Sequence, residues 1–242
     1  MSSEKFIQKG AASLTYNSTA DPRDFYFVLT PKLTMLAFSA AVEPLRIANQ
    51  LTKQELYRWH TMTIDGGPVQ CSNGVTITPD SALAPIDRDA TAFICSGVEP
   101  TRALSEQVRN WVRRQDRIGT TLGGICTGAF ALADAGLIGS RLFTLHWENQ
   151  PSFSEKFPDL VPTRNLYEID GRLITCGGGS AATDMMLDII ERDHGRDVAL
   201  VVADMCIHKR NSDRKAPQKS SLSVAIGSRN QRLIHAIQVM TE

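Results

Sequence analysis

The chain has 242 residues, of which 42% are hydrophobic, with 26 basic and 26 acidic side chains. That is enough apolar material to bury a core in one large domain or one and a half, and no apolar run approaches the roughly 18 residues of a membrane span. Residues 1–24 are polar and carry no signal-peptide pattern, and five cysteines (71, 95, 126, 176 and 206) without a CxxC pair fit a reduced, cytoplasmic protein better than a disulfide framework.

In chain order, residues 1–21 read as a disordered N-terminus, and FYFVLT at 25–30 as a buried strand followed by a helix over 35–51. Strands follow at 57–64, 68–71 and 75–78, the last two joined by the Ser72-Asn73-Gly74 turn. TAFIC at 91–95 is a short apolar strand, and Leu104, Val108, Trp111 and Val112 fall on one helical stripe. Then come strand 118–125, helix 127–137, strand 142–145, a hairpin of 166–169 with 172–175 around Asp170-Gly171, and helices 180–192 and 197–208. Strands alternating with helices predict an α/β fold, a three-layer α/β/α sandwich around a mainly parallel sheet over residues 22–208.

Residues 209–228 turn basic and Ser-rich and read as a linker, after which residues 229–242 restart a helix with Leu233, Ile237 and Met240 on one stripe. From His208 onward there are seven Lys/Arg and two acidic residues, so an acidic globule carries a basic tail, the asymmetry expected of a segment leading towards a polyanion.

Strand, Gly124-x-Cys126-x-Gly128, helix is the nucleophile-elbow order with cysteine in place of serine. Its glycines permit a crowded turn that lifts the side chain out of the sheet. A helix N-terminus behind the thiol would favour thiolate, and His146, at the end of the next expected strand, would emerge at the same sheet edge and could serve as general base. Elbow geometry alone does not make a complete reaction site.

The block GGICTGAFALADAGLIGSRLFTLHW resembles the centre of the class I glutamine amidotransferase-like (flavodoxin-like) superfamily, in the branch fused to AraC-type transcription regulators. Val42-Glu43-Pro44-Leu45-Arg46 with Ala48-Asn49, and Ile174 to Gly179 with Asp184, extend the resemblance across residues 25–208. It implies a ligand-sensing, dimerising domain followed by a DNA-binding domain of two helix-turn-helix motifs, of which residues 229–242 would be the opening helix. Enzymes of the superfamily place a glutamate beside the thiol; here Ala37 falls near that position, and no late His-x-Glu pair exists. The elbow is therefore expected to be vestigial, with Cys126 and His146 marking a ligand pocket and no catalytic residue. The alternative is a cysteine-dependent hydrolase or lyase using Cys126 and His146.

Similarity to regulators of carnitine, glycine betaine or arginine catabolism implies a cationic, amino-acid-derived or quaternary amine inducer. Glu43, set among apolar helical neighbours, is the candidate counter-ion, and Trp147 beside His146 the candidate aromatic wall. An ion pair of Glu43 with Arg46 competes with that reading on equal terms. Asp204 and His208, four apart on a helix, are a surface contact sooner than a metal pair. No metal or cofactor is implied, and the glycine run 177–179 lacks any nucleotide-binding fingerprint. The expected partners are a small-molecule inducer, a second copy in a twofold homodimer, and DNA through the C-terminal domain, with no membrane.

Overall fold

A computed structural model describes residues 10–211 together with Ile7, Ala216, Gln218 and Met240. The expected linker and the helix at 229–242 therefore lie almost wholly outside the described residues. Nine strands and six α-helices occur among them: β1 (Arg23–Leu29), α1 (Met35–Thr52), β2 (Tyr57–Thr63), β3 (Val69–Gln70), β4 (Thr76–Ile77), β5 (Ser81–Ala82), β6 (Thr91–Cys95), α2 (Glu106–Ile118), β7 (Thr121–Ile125), α3 (Ala129–Asp134), α4 (Gln150–Lys156), β8 (Tyr167–Asp170), β9 (Leu173–Cys176), α5 (Ala181–His194) and α6 (Arg196–Met205). Seven strands form one sheet in the order β5-β2-β1-β6-β7-β9-β8, parallel throughout except for β8 against β9. The small β3-β4 ribbon is antiparallel and separate, closed by the Ser72-Asn73-Gly74 turn.

Period-two alternation in β1 builds the two core layers. Phe25, Phe27 and Leu29 join a cluster with α1, α5 and α6, whereas Val28 joins the opposite cluster with α2, α3 and Phe153 of α4. The central strand β6 is buried at all five residues, as expected for a parallel strand covered on both faces. Helix α2 begins where Ser105 Oγ accepts the backbone N–H of Val108 at 3.1 Å, and it buries Val108, Trp111 and Val112. The three-layer sandwich expected from the sequence is thus what these residues form.

Three local expectations fail. Residues 10–21 are not disordered: Leu14 and Tyr16 pack on the core, the Leu14 N–H donates to Leu51 O at 2.8 Å, and the Tyr16 hydroxyl meets His194 Nδ1 at 3.0 Å. The segment 142–145 is no strand, because β9 takes the place beside β7 and β8 closes the edge. It keeps only a single bridge between Thr144 and Thr163, with the Thr144 N–H turned to the Thr175 hydroxyl at 2.9 Å. Helix α4 went unread in the sequence, since Pro151 in its first turn resembles a loop signal although it suits a helix start.

Candidate functional site

From β1 the chain crosses through α1 to β2 on one side, while β6 lies on the other, so the sheet order reverses between β1 and β6. Open α/β sheets gather ligands outside the carboxyl ends of their strands at such a reversal. Here Thr34 reaches across it, its N–H donating to Ser96 O at 3.3 Å. Thr127 fastens the neighbouring turn, its hydroxyl donating to Gly97 O at 2.7 Å.

Cys126 follows β7 with φ 61°, a left-handed conformation that non-glycine residues rarely hold, which is the expected elbow geometry. The turn closes because Gly128 has no side chain: a Cβ there would overlap the Ile94 carbonyl oxygen. His146 comes to the same sheet edge even though no strand carries it, its backbone N–H donating to Cys126 O at 3.1 Å. Among the described residues, however, no hydrogen bond joins the Cys126 thiol to the His146 ring. The thiol instead meets Thr34 Oγ1 at 3.6 Å. Ala37, at the position where a supporting glutamate would stand, is fully buried in the core.

The electrostatics correct the expectation of a favoured thiolate. Burial pushes the Cys126 thiol above its ordinary value, outweighing the lowering contacts from Thr34 and the Thr127 backbone, and Glu148 adds to the rise. The helix behind the thiol, α3, has only six residues. Burial also lowers the pKa of His146 despite the opposing pull of Glu148. Both groups are thereby driven towards their neutral forms, the opposite of a thiolate–imidazolium pair. Two further thiols flank this edge, and burial holds Cys176 at about 12.

A cleft of about 360 Å³ opens beside the elbow, lined by His146, Trp147, Gly177–Gly179, Asp184 and His208 among others. Cys126 lies beneath its floor, only 5% exposed. Gly178 (φ +85°) covers it so closely that a Cβ there would stand 2.8 Å from the Cys126 Cβ and 3.2 Å from its sulfur. Trp147 borders the cleft with 42% of its surface exposed.

Glu43 is not where the sequence reading put it. The stripe Ala37, Ala41, Pro44, Leu45 and Ala48 is the buried face of α1, and Glu43 falls off it. Its carboxylate is exposed, accepts from Arg46 Nε at 2.7 Å, and does not line the cleft, so the ion pair with Arg46 is what forms. The carboxylate that does line the cleft is Asp184, 4% exposed in the first turn of α5. Its Oδ1 accepts from His208 Nε2 at 2.9 Å and from the Asn211 N–H at 2.9 Å. His208 is thus committed to Asp184, and Asp204 is exposed. Among the described residues no group of three or more His, Cys, Asp or Glu side chains is gathered to hold a metal. No helix among them is long and apolar enough to cross a membrane.

Sequence reasoning missed Thr34 and the site role of Asp184, though both flank motifs it used: Thr34 lies three residues before Ala37, and Asp184 opens the helix after the glycine run. Gln218, which also lines the cleft, gave no signal at all.

The chain is 42% identical over 218 residues to the HTH-type transcriptional regulator CdhR of Pseudomonas aeruginosa, covering 90% of this chain and 65% of that protein. It is 36% identical over 220 residues to the HTH-type transcriptional regulator GbdR of the same species, covering 91% of this chain and 60% of that protein. The chain thus spans under two thirds of the length of either relative. In fold it matches the crystal structure of an AraC family transcriptional regulator from Pseudomonas putida, with TM-score 0.69 and 22% identity over 76% of this chain and 100% of that one. Residues 37–192 match the model of the DJ-1/PfpI family, and the chain belongs to that family.

Proposed function

We propose that the sandwich is the effector-sensing and dimerising domain of an AraC-type transcription regulator. In this reading a small amine metabolite, amino-acid-derived or quaternary, settles in the cleft beside Cys126, His146 and Trp147. The observation that carries the reading is the match over 90% of the chain to a protein named as an HTH-type regulator, on a domain whose elbow thiol is buried and, among the described residues, has no hydrogen bond to the His146 ring. Trp147 offers a cationic group an aromatic face, a contact worth roughly 0.5–2 kcal/mol. Asp184 supplies the negative charge first sought at Glu43. DNA would be engaged by a domain following the linker, two copies of the chain would match two half-sites, and the protein would work in the cytoplasm.

The test is a thermal-shift screen of the 242-residue chain against amino acids and quaternary amines. At least one amine should raise the melting temperature in a saturable way, and Trp147→Ala should weaken that response about tenfold. Cys126-dependent turnover of esters, peptides, glutamine or glyoxals would overturn the reading, as would stabilisation by anions but by no amine.

A further inference from the structure

Gln218 belongs to the stretch read as a linker, yet its side chain is seated in the cleft. Its Nε2 faces three acceptors, Asn165 O at 2.7 Å, Thr144 Oγ1 at 3.0 Å and Leu145 O at 3.0 Å. The Trp147 backbone N–H donates to its Oε1 at 2.9 Å, and its own backbone N–H donates to Arg164 O at 3.3 Å. Thr144 and Leu145 are fully buried. The Thr144 hydroxyl gives its hydrogen to Thr163 O or Asn165 O, at 2.9 and 3.0 Å, and so can only accept from Gln218. The seat exists because residue 177 is glycine: a Cβ there would stand 2.5 Å from the carboxamide carbon of Gln218.

Three acceptors converge on this seat, of which Leu145 O is shared with Gln150 Nε2 at 3.3 Å and Asn165 O with the Thr144 hydroxyl at 3.0 Å. A carboxamide nitrogen carries two hydrogens, and three acceptors surround it; a primary ammonium carries three. Beside them the Trp147 N–H asks for an oxygen. The arrangement therefore suits a nitrogen rich in hydrogens next to a carbonyl or carboxylate oxygen, as at the polar end of an amino acid or its amide. A fully methylated ammonium has no hydrogen to offer it.

We propose that this seat is the polar subsite for the effector, and that the Gln218 carboxamide is a built-in occupant which an effector bearing N–H donors must displace. The inference rests on the cleft being the effector site. It adds a link to residue 218, because effector and Gln218 side chain cannot both hold the seat. A tethered side chain competes at an effective concentration in the millimolar range, so effector binding and release of Gln218 are one equilibrium.

The experiment uses the 242-residue chain as wild type, Gln218→Ala and Gly177→Ala, with propionamide, ethylammonium and tetramethylammonium as probes. Affinity is read by calorimetry, and release of Gln218 by the resonance of the Trp147 backbone amide, whose N–H donates to Gln218 Oε1. Propionamide and ethylammonium should bind Gln218→Ala at least tenfold more tightly than wild type. Gly177→Ala should bind neither, since its methyl group fills the seat. That amide resonance should move upfield in both variants, as the bond to Gln218 is lost, and in wild type at saturating ethylammonium. Equal affinities in wild type and Gln218→Ala would overturn the proposal, as would tetramethylammonium gaining as much as ethylammonium. An amine from the wider screen that binds all three proteins alike would leave the sensor reading standing and discard the seat. Competition at the seat with no response to any metabolite in that screen would support the seat and count against the sensor reading.

Discussion

Replacing Asp184 by Ala tests whether the end of the sandwich is held at the cleft by one carboxylate. Asp184 Oδ1 accepts two hydrogen bonds, from His208 Nε2 and the Asn211 N–H, both at 2.9 Å, in a site where the residue is 4% exposed. A hydrogen bond to a charged group contributes about 1.5–3 kcal/mol net. The two bonds share one oxygen, so their contributions do not simply add, and a loss of about 2–4 kcal/mol is expected. For a domain of this size that corresponds to a fall of roughly 5–15 °C in melting temperature. Asp184→Asn, which keeps an acceptor and loses the charge, should recover about half of the loss. The assay is urea denaturation followed by tryptophan fluorescence, run as a double-mutant cycle with His208→Ala. A coupling of about 1–2 kcal/mol is expected between the two positions. Losses that add to within roughly 0.3–0.5 kcal/mol would refute the reasoning, because the 2.9 Å hydrogen bond requires the two side chains to be energetically dependent.

Iodoacetamide at pH 7.5 should modify Cys126 at least tenfold more slowly than free cysteine, since the thiol is buried and its pKa raised; peptide mass spectrometry measures the rate, and alkylation as fast as the free thiol would contradict the account. Burial lowers the pKa of both His146 and His194 below the ordinary 6.5. Below 6.5 the unfolded chain binds more protons than the folded one, so stability is full above that pH and is lost as pH falls through the lowered folded values. The urea midpoint should drop between pH 7.5 and 5.5, and the pair His146→Gln with His194→Gln should flatten that fall; an unchanged slope would refute it. Gly128→Ala forces a methyl group onto the Ile94 carbonyl oxygen, a backbone atom that cannot swing aside. It should cost at least the ~3 kcal/mol upper end of overpacking, seen as lost soluble yield or a lower melting temperature, whereas wild-type stability would show that the elbow tolerates a side chain.

Much of the fold was legible because burial in a parallel sheet writes itself as short apolar runs. TAFIC at 91–95 is an unmistakable central strand, and the stripe through Val108, Trp111 and Val112 names the buried face of α2. The elbow was legible for a different reason: its glycines are demanded by backbone approach, which leaves a fixed spacing in the sequence. The misreadings have physical causes too. Phe143, Thr144 and Leu145 are buried like strand residues, but burial does not say which hydrogen-bond partner is free, and β9 had already taken the place beside β7. Glu43 looked buried from its neighbours, although helical phase puts it off the stripe of Ala41, Pro44, Leu45 and Ala48. The partners of Asp184 and Gln218 lie 24 to 74 positions away, and no periodicity reports a contact at that range.

His208, Lys209 and Asn211, which follow the last helix of the sandwich, are part of the rim of the cleft. In the proposed sensor, the entrance of the cleft and the start of the linker would share a frame. An effector entering the cleft would then press on the departure point of the chain itself, with no movement of the sheet required. In that reading the seven-stranded body would stay rigid while its outlet responded, and an attached module would need to inherit the outlet and not a route through the core.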